Sequence, residues 1–510
     1  MLRKVNRHVH LKVLSLSGIL ETTAIRSDDS KTSPIERLVS FDIIRGGSIF
    51  CMVFVHVLMK TYDIDAFANN PELFLELPIV LMIIAALIGY LGMWISFFVL
   101  LSATVNAFVM TKKVLKGTRP EPILFKQLLN GVLIWCFGRL QENIIGYFGY
   151  LGTSLRTGDW ANISRMYTKT WTIRALDIIA WCIIINALIH YFLMIEGGYK
   201  QYLRNVLIYL TFGAVVLAIT PGVREWALAI KPDEKNFFSW FLNTLVLDKD
   251  VVLPYLFSSL LGSILGMTLA RPKNPKKLVV RGSLIMMFVL ALVSFILIFF
   301  KIANNLPGSI FNKPPEIPTY LILTIGQIGV ILLMLSLIEF RGKGSKIANN
   351  IIMKNFRMWG MISLSIFIFD TFEILARGML TLLIGNYVGI NALEGGMVFE
   401  SLPSALIIKN VGVGINFLDG GIFTGTIGFL WAVLLSSYVL AFYQLFIWLW
   451  SKVKFKFGAE WWMIKIQKLI TKQESQKLDP KIMLNEVKWI SYKAKKQTGQ
   501  PQDSTTIQRE

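Results

Sequence analysis

Arg45 and His56 stand eleven residues apart within one apolar run, the two positions in this chain best suited to chemistry. Eleven residues are close to three helical turns, so both side chains fall on one face, separated along the axis by about 16 Å. Asp42, three residues before Arg45, shares that face. A histidine that deep is expensive to keep in hydrocarbon and points to a functional site. Imidazole changes charge near neutral pH, which suits it to take a proton from a hydroxyl or amine as that group attacks an ester or thioester. A guanidinium at the membrane boundary suits phosphate or pyrophosphate, which it grips with two parallel hydrogen bonds. Gly46 and Gly47 would let a helix or a ligand approach the backbone closely. The plainer alternative is that Asp42 caps the helix and pairs with Arg45, while His56 bonds a neighbouring helix.

The elements that must hold these residues are membrane helices. Of 510 residues, 54% are hydrophobic and 16% charged. The apolar residues gather into runs of about 20, the length that crosses ~30 Å of hydrocarbon. The runs fall near 43–62, 93–111, 125–145, 172–195, 205–220, 251–270, 280–300, 318–340, 358–385 and 421–450. The expected fold is therefore an all-α polytopic transmembrane bundle of about ten spans. Pro78–Met110 is too long for one span, so 78–90 reads as a re-entrant or interfacial piece, or as an eleventh span. Residues 1–36 form a basic arm and 37–451 the bundle. Residues 452–475 form an amphipathic segment on the inner leaflet, and 476–510 a polar, disordered tail.

The net charge of +20 is spread over alternate loops, with five Lys/Arg each at 111–126, 271–281 and 341–357. By the positive-inside rule this places both termini in the cytoplasm. Charge shared among loops, with no DNA-binding motif, excludes a nucleic-acid partner. Membrane lipids are the expected neighbours, and a homodimer is left open. Three cysteines without a CxxC spacing indicate no metal site.

Other polar residues sit at depth. Arg139, Gln141 and Glu142 lie in the third run, Arg174 and Asp177 in the fourth, Asp370, Glu373 and Arg377 in the ninth. Those of the third and fourth runs either form an ion-pair network linking the two spans, Arg174 and Asp177 being able to pair on one helix face, or line a cavity, while Asp370 and Glu373 either relay a proton or bind Arg377. Ser102 and Asn106, one turn apart, either glue helices or face that cavity. His190 reads as an interfacial histidine.

Arg37-Leu-Val-Ser-Phe-Asp-Ile-Ile-Arg-Gly, followed by Met52-Val-Phe-Val-His, resembles the opening of membrane acyltransferases related to heparan-alpha-glucosaminide N-acetyltransferase. The Arg-x10-His spacing is similar to that of the wider type-3 acyltransferases. Weaker likenesses follow in order at 97–108, 173–180, 361–369 and 458–462. Ser102 stands where that family usually has glycine, and Asp177 where it has Gln or His. The proposed catalytic histidine of that family lies in the first outer loop; loop 63–77 here has none, so the resemblance implies that His56 takes that role, as in the type-3 group. The resemblance implies transfer of an acyl group, usually acetyl, from cytoplasmic acyl-CoA to an extracytoplasmic sugar or glycan hydroxyl or amine. It implies His56, Asp42 and Asp177 as catalytic residues, with Arg45, Gly46, Gly47, Ser102, Asn106, Arg139 and Arg174 holding the donor. A proton-coupled secondary transporter and a non-catalytic membrane scaffold are the competing readings.

Overall fold

The computed structural model describes residues 38–61, 79–92, 95–157, 159–168, 170–230, 236–248, 250–271, 275–303, 317–341, 345–388, 425–472 and 478–485. The N-terminal arm and most of the C-terminal tail lie outside them. Among the described residues the chain is helical and contains no strand. In chain order the helices are α1 (Val39–Thr61), α2 (Ile79–Gly92), α3 (Ile95–Leu115), α4 (Pro120–Leu140), α5 (Tyr150–Thr157), α6 (Ala175–Met194), α7 (Tyr202–Ile230), α8 (Phe237–Leu242) and α9 (Val252–Leu269). They continue with α10 (Pro275–Ala303), α11 (Ile317–Met334), α12 (Ile351–Met361), α13 (Ser363–Ile368), α14 (Phe372–Val388), α15 (Gly425–Lys452), α16 (Ala459–Thr471) and α17 (Pro480–Asn485).

Nine helices among the described residues are long and apolar enough to cross a membrane: α1, α3, α4, α6, α7, α9, α10, α11 and α15. Each lies on one of the ten expected runs. The chain is a multi-pass helical membrane protein. Between Pro78 and Met110 the structure has a 14-residue helix, α2, then a separate α3. Ile79, Val80, Ile83, Ile84 and Leu87 of α2 are exposed, and such a surface belongs in lipid.

The remaining run, 358–385, is not one helix. It breaks at Ile362 and again at 369–371, leaving α12, α13 and α14. Polar groups from distant elements hold the breaks. The Glu460 carboxylate, at the start of α16, accepts from the backbone N–H of Leu364 (2.7 Å) and Ser365 (3.1 Å) and from the Ser365 hydroxyl. It thus caps α13 as an acidic side chain caps any helix N-terminus. At the second break the Asp370 carboxylate accepts from the Tyr147 N–H at 2.8 Å, and the Thr371 hydroxyl donates to the Ile145 carbonyl. Broken backbone at membrane depth survives where protein groups satisfy it.

The expected fifth run, 205–220, is also corrected: α7 continues through Pro221 to Ile230. Proline removes one helical hydrogen bond, but in an apolar solvent a break would strand more backbone groups than that.

Glycines set the closest helix contacts. A Cβ on Gly46 would overlap the Phe356 carbonyl and lie 2.8 Å from the Gly360 amide nitrogen, so α1 crosses α12 at Gly46 and Gly360. Gly262 and Gly266 of α9 lie against the Leu100 and Thr104 carbonyls of α3 in the same way. Of the nine span-length helices among the described residues α9 is the most enclosed, with 89% of its apolar stretch buried, against 11% for α10. Gly47 meets nothing within 4 Å. We therefore expect Gly46→Ala to cost about 1–3 kcal/mol or more through overpacking against rigid backbone, while Gly47→Ala is near neutral. Thermal melting of the purified chain reads the difference, and equal melting temperatures would show that the crossing adjusts.

Candidate active site

A cavity of about 630 Å³ opens between α1, α3, α4, α6 and α16, within the ~300–1,000 Å³ of small-molecule sites. Its first wall is α1, which contributes Arg45, Ile49, Met52, His56, Met59 and Lys60. Up to Met59 those positions recur every three or four residues, and Lys60 follows His56 by four, a single helical stripe. From Arg45 to Lys60 the stripe runs about 22 Å. α3 supplies Ser102 and Asn106; α4 and the turn after it supply Asn130, Gln141 and Glu142. Arg174 and Leu176 come from the start of α6, Asp370 from the break before α14, and Glu460 and Met463 from α16. Elements more than 400 residues apart in sequence thus meet on one space.

Arg45 sits at the end of the stripe nearer the start of α1, partly exposed, and among the described residues its guanidinium is bonded to no carboxylate or carbonyl. Ser102 donates to the Val99 carbonyl of its own helix at 3.0 Å. At the other end Lys60 bonds Glu373 (2.7 Å) and lies 3.7 Å above the Tyr147 ring, and Glu373 also bonds Arg377 (2.5 Å). The ninth run's charges therefore join across to α1 as well as to each other. Glu460 lies on α16, outside the candidate spans, and burial pushes its carboxyl above the ordinary range against the pull of its Ser365 and Leu364 donors.

The other residues expected at the site are placed differently. Arg139 donates to Asp177 and to the carbonyls of Thr170 (3.0 Å) and Thr172 (2.9 Å), tying α4 to the chain that enters α6. Asp177 is fully buried and also accepts from the Arg174 backbone N–H at 3.0 Å, capping α6. Neither residue lines the cavity, although both hold the strand of chain that carries Arg174 there. The Arg174 side chain turns instead to Glu142, 3.3 Å away, and both face the cavity. Asp42 lies at the mouth of the α1–α12 crossing with its carbonyl against Gly360, and the start of α1 is capped from elsewhere, by Glu339, which accepts from the Ser40 N–H at 3.0 Å. Gly46 is taken up by that crossing and Gly47 faces open space, both outside the cavity lining. His190 is corrected from interfacial to buried: at 2% exposure it bonds the hydroxyls of Thr111 (3.0 Å) and Tyr209 (2.7 Å), linking α3, α6 and α7.

Residues the sequence reading did not place at the site are Lys60, Asn130, Asp250 and Glu460. Lys60 had a usable signal, since it follows His56 by one turn on the same stripe. Glu460 had only the likeness at 458–462, which gives no role, because its partners Leu364 and Ser365 are about 95 residues away in sequence. Gln141 and Glu142 sit on a single π-helical turn, Gln141–Ile145, a distortion frequent at functional sites.

No family model matches this chain, and no curated protein matches it.

Proposed function

We propose that the chain transfers an acyl group across the membrane, from acyl-CoA on the cytoplasmic side to a sugar or glycan hydroxyl or amine on the other. The observation that carries this reading is the shared cavity: Arg45 and His56 line it together with Ser102, Asn106 and Arg174. In this reading the chain crosses ten times, α12–α14 forming the ninth crossing, and both termini are cytoplasmic, as the basic loops favour. Arg45 holds a CoA phosphate near the cytoplasmic face. The thioester lies toward His56. The imidazole takes the proton of the acceptor O–H or N–H as that atom bonds the thioester carbonyl carbon; the C–S bond breaks, and the proton passes to the CoA sulfur. Glu142, Arg174 and Asp370, toward the far end, offer hydrogen bonds to a polyhydroxylated acceptor.

Binding of acetyl-CoA to the purified full chain tests the donor half. Wild type should bind it, and Arg45→Ala should weaken binding about 10- to 100-fold, the worth of a charge-assisted hydrogen bond or two. A wild type that binds no CoA sinks the reading. The broken backbone of α12–α14 beside the cavity favours a second one, a proton-coupled carrier, since carriers bind substrate at interrupted helices. Substrate-driven proton uptake in proteoliposomes without any CoA would select it.

A further inference from the structure

A second space of about 840 Å³ lies apart from the site, between α7 and α10, floored by α9 and α11. Its walls are apolar along most of their length, from Leu210 and Leu217 on α7 to Phe257 and Leu261 on α9 and Val289 and Leu297 on α10. From Phe257 to Thr268 the α9 floor runs about 16 Å, the depth of one leaflet's hydrocarbon. Gly282 lines this slot, and nothing lies within 4 Å of where its side chain would begin. The outward faces of both flanking helices are lipid-like, with Leu203, Leu207, Leu284 and Phe288 exposed.

The two ends differ in charge. At the far end Pro221, Leu297 and Ile317 line the slot, and the next turn of α7 carries Arg224 and Glu225, two charges of opposite sign. At the near end Tyr202 and Thr268 share a hydrogen bond at 2.8 Å, and the Arg271 guanidinium lies 4.2 Å above the Tyr202 ring. Lys277 and Arg281, on the first two turns of α10, each precede a residue that lines the slot, Leu278 and Gly282. One polar, cationic mouth on an otherwise greasy trough matches a molecule with one anionic head and a long hydrocarbon tail.

We propose that the slot between α7 and α10 is a binding site for an anionic phospholipid, one acyl chain lying along α9 and the phosphate held among Arg271, Lys277 and Arg281. Nothing in this depends on acyl transfer. A second copy of the chain would cover the apolar faces but would leave the cations of the mouth without counter-charge.

The test uses the full chain in nanodiscs of equal phosphatidylglycerol and phosphatidylcholine, transferred to detergent, with retained lipids counted by native mass spectrometry. Wild type should retain phosphatidylglycerol severalfold over phosphatidylcholine. Arg271→Gln and Arg281→Gln should each lower its retention roughly fivefold, the worth of one basic residue near an anionic surface. Gly282→Trp should expel both lipids, while Gly282→Ala retains them as wild type does. Equal retention of the two lipids by wild type overturns the proposal. So does undiminished phosphatidylglycerol in a folded Gly282→Trp. A wild-type dimer that Gly282→Trp splits without changing bound lipid overturns it too, and assigns the slot to a second copy. If the tryptophan variant does not fold, the two arginine variants decide.

Discussion

His56→Ala should lower acyl transfer by roughly 10²- to 10⁴-fold, the range a positioned general base contributes, while acetyl-CoA still binds. The expectation follows from the α1 stripe. His56 lies three turns from Arg45 on the same cavity wall, so removing the imidazole leaves the donor's phosphate partner in place. The loss should therefore fall on turnover, with the donor's apparent affinity little changed. The pH–rate profile carries independent information: the limb reporting deprotonation of the base should vanish from the residual activity. Turnover of His56→Ala at the wild-type rate would remove the imidazole from the reaction. It would leave Lys60 and the carboxylates of the same cavity as the groups to examine.

The second large effect concerns Arg139 and Asp177. Asp177 is fully buried and Arg139 nearly so, and the pair fastens α4 to the start of α6. Arg139→Met would leave the Asp177 carboxylate buried with only the Arg174 backbone N–H, a loss of about 3–5 kcal/mol. The double variant Arg139→Met/Asp177→Leu should recover much of that loss, because the cost lies in an unmatched charge more than in a missing attraction. Melting temperatures of the four proteins give the coupling directly. A single variant as stable as wild type would mean that the carboxylate finds water or another donor. Transfer activity separates support from chemistry. If Asp177 only positions Arg174, the double variant should bind donor and turn over in proportion to its folded fraction.

The long runs of apolar residues made the nine span-length helices legible, because a segment of that length has no other low-energy arrangement in hydrocarbon. The Arg45–His56 relation was legible too, since a helix turns the number eleven into a shared face. Pairing was not. Arg174 and Asp177, three apart, look like partners along the chain, yet each finds a better one across space, Glu142 and Arg139. Nor could the interruptions at Ile362 and 369–371 be seen, because the groups that stabilise them, Glu460 and the Tyr147 N–H, come from other elements. Local pattern carries the helices; the polar contacts between helices depend on how these are assembled. The same applies to Gly46, whose small size serves a neighbouring helix and not a ligand.

The enclosure of α9 bears on how the chain is made. This helix carries Ser258, Ser259 and Ser263 among its buried residues, on the side that packs against α6 and α11. Surrounded by lipid, its three hydroxyls and two close-packing glycines gain little. Placed against α3 and α6, they bond the Tyr320 hydroxyl, the Cys182 carbonyl and the Asn186 amide. During synthesis α3 and α6 emerge first and α11 afterwards. The segment therefore meets a half-built cradle, and the Ser258 hydroxyl gains its partner only when α11 brings Tyr320.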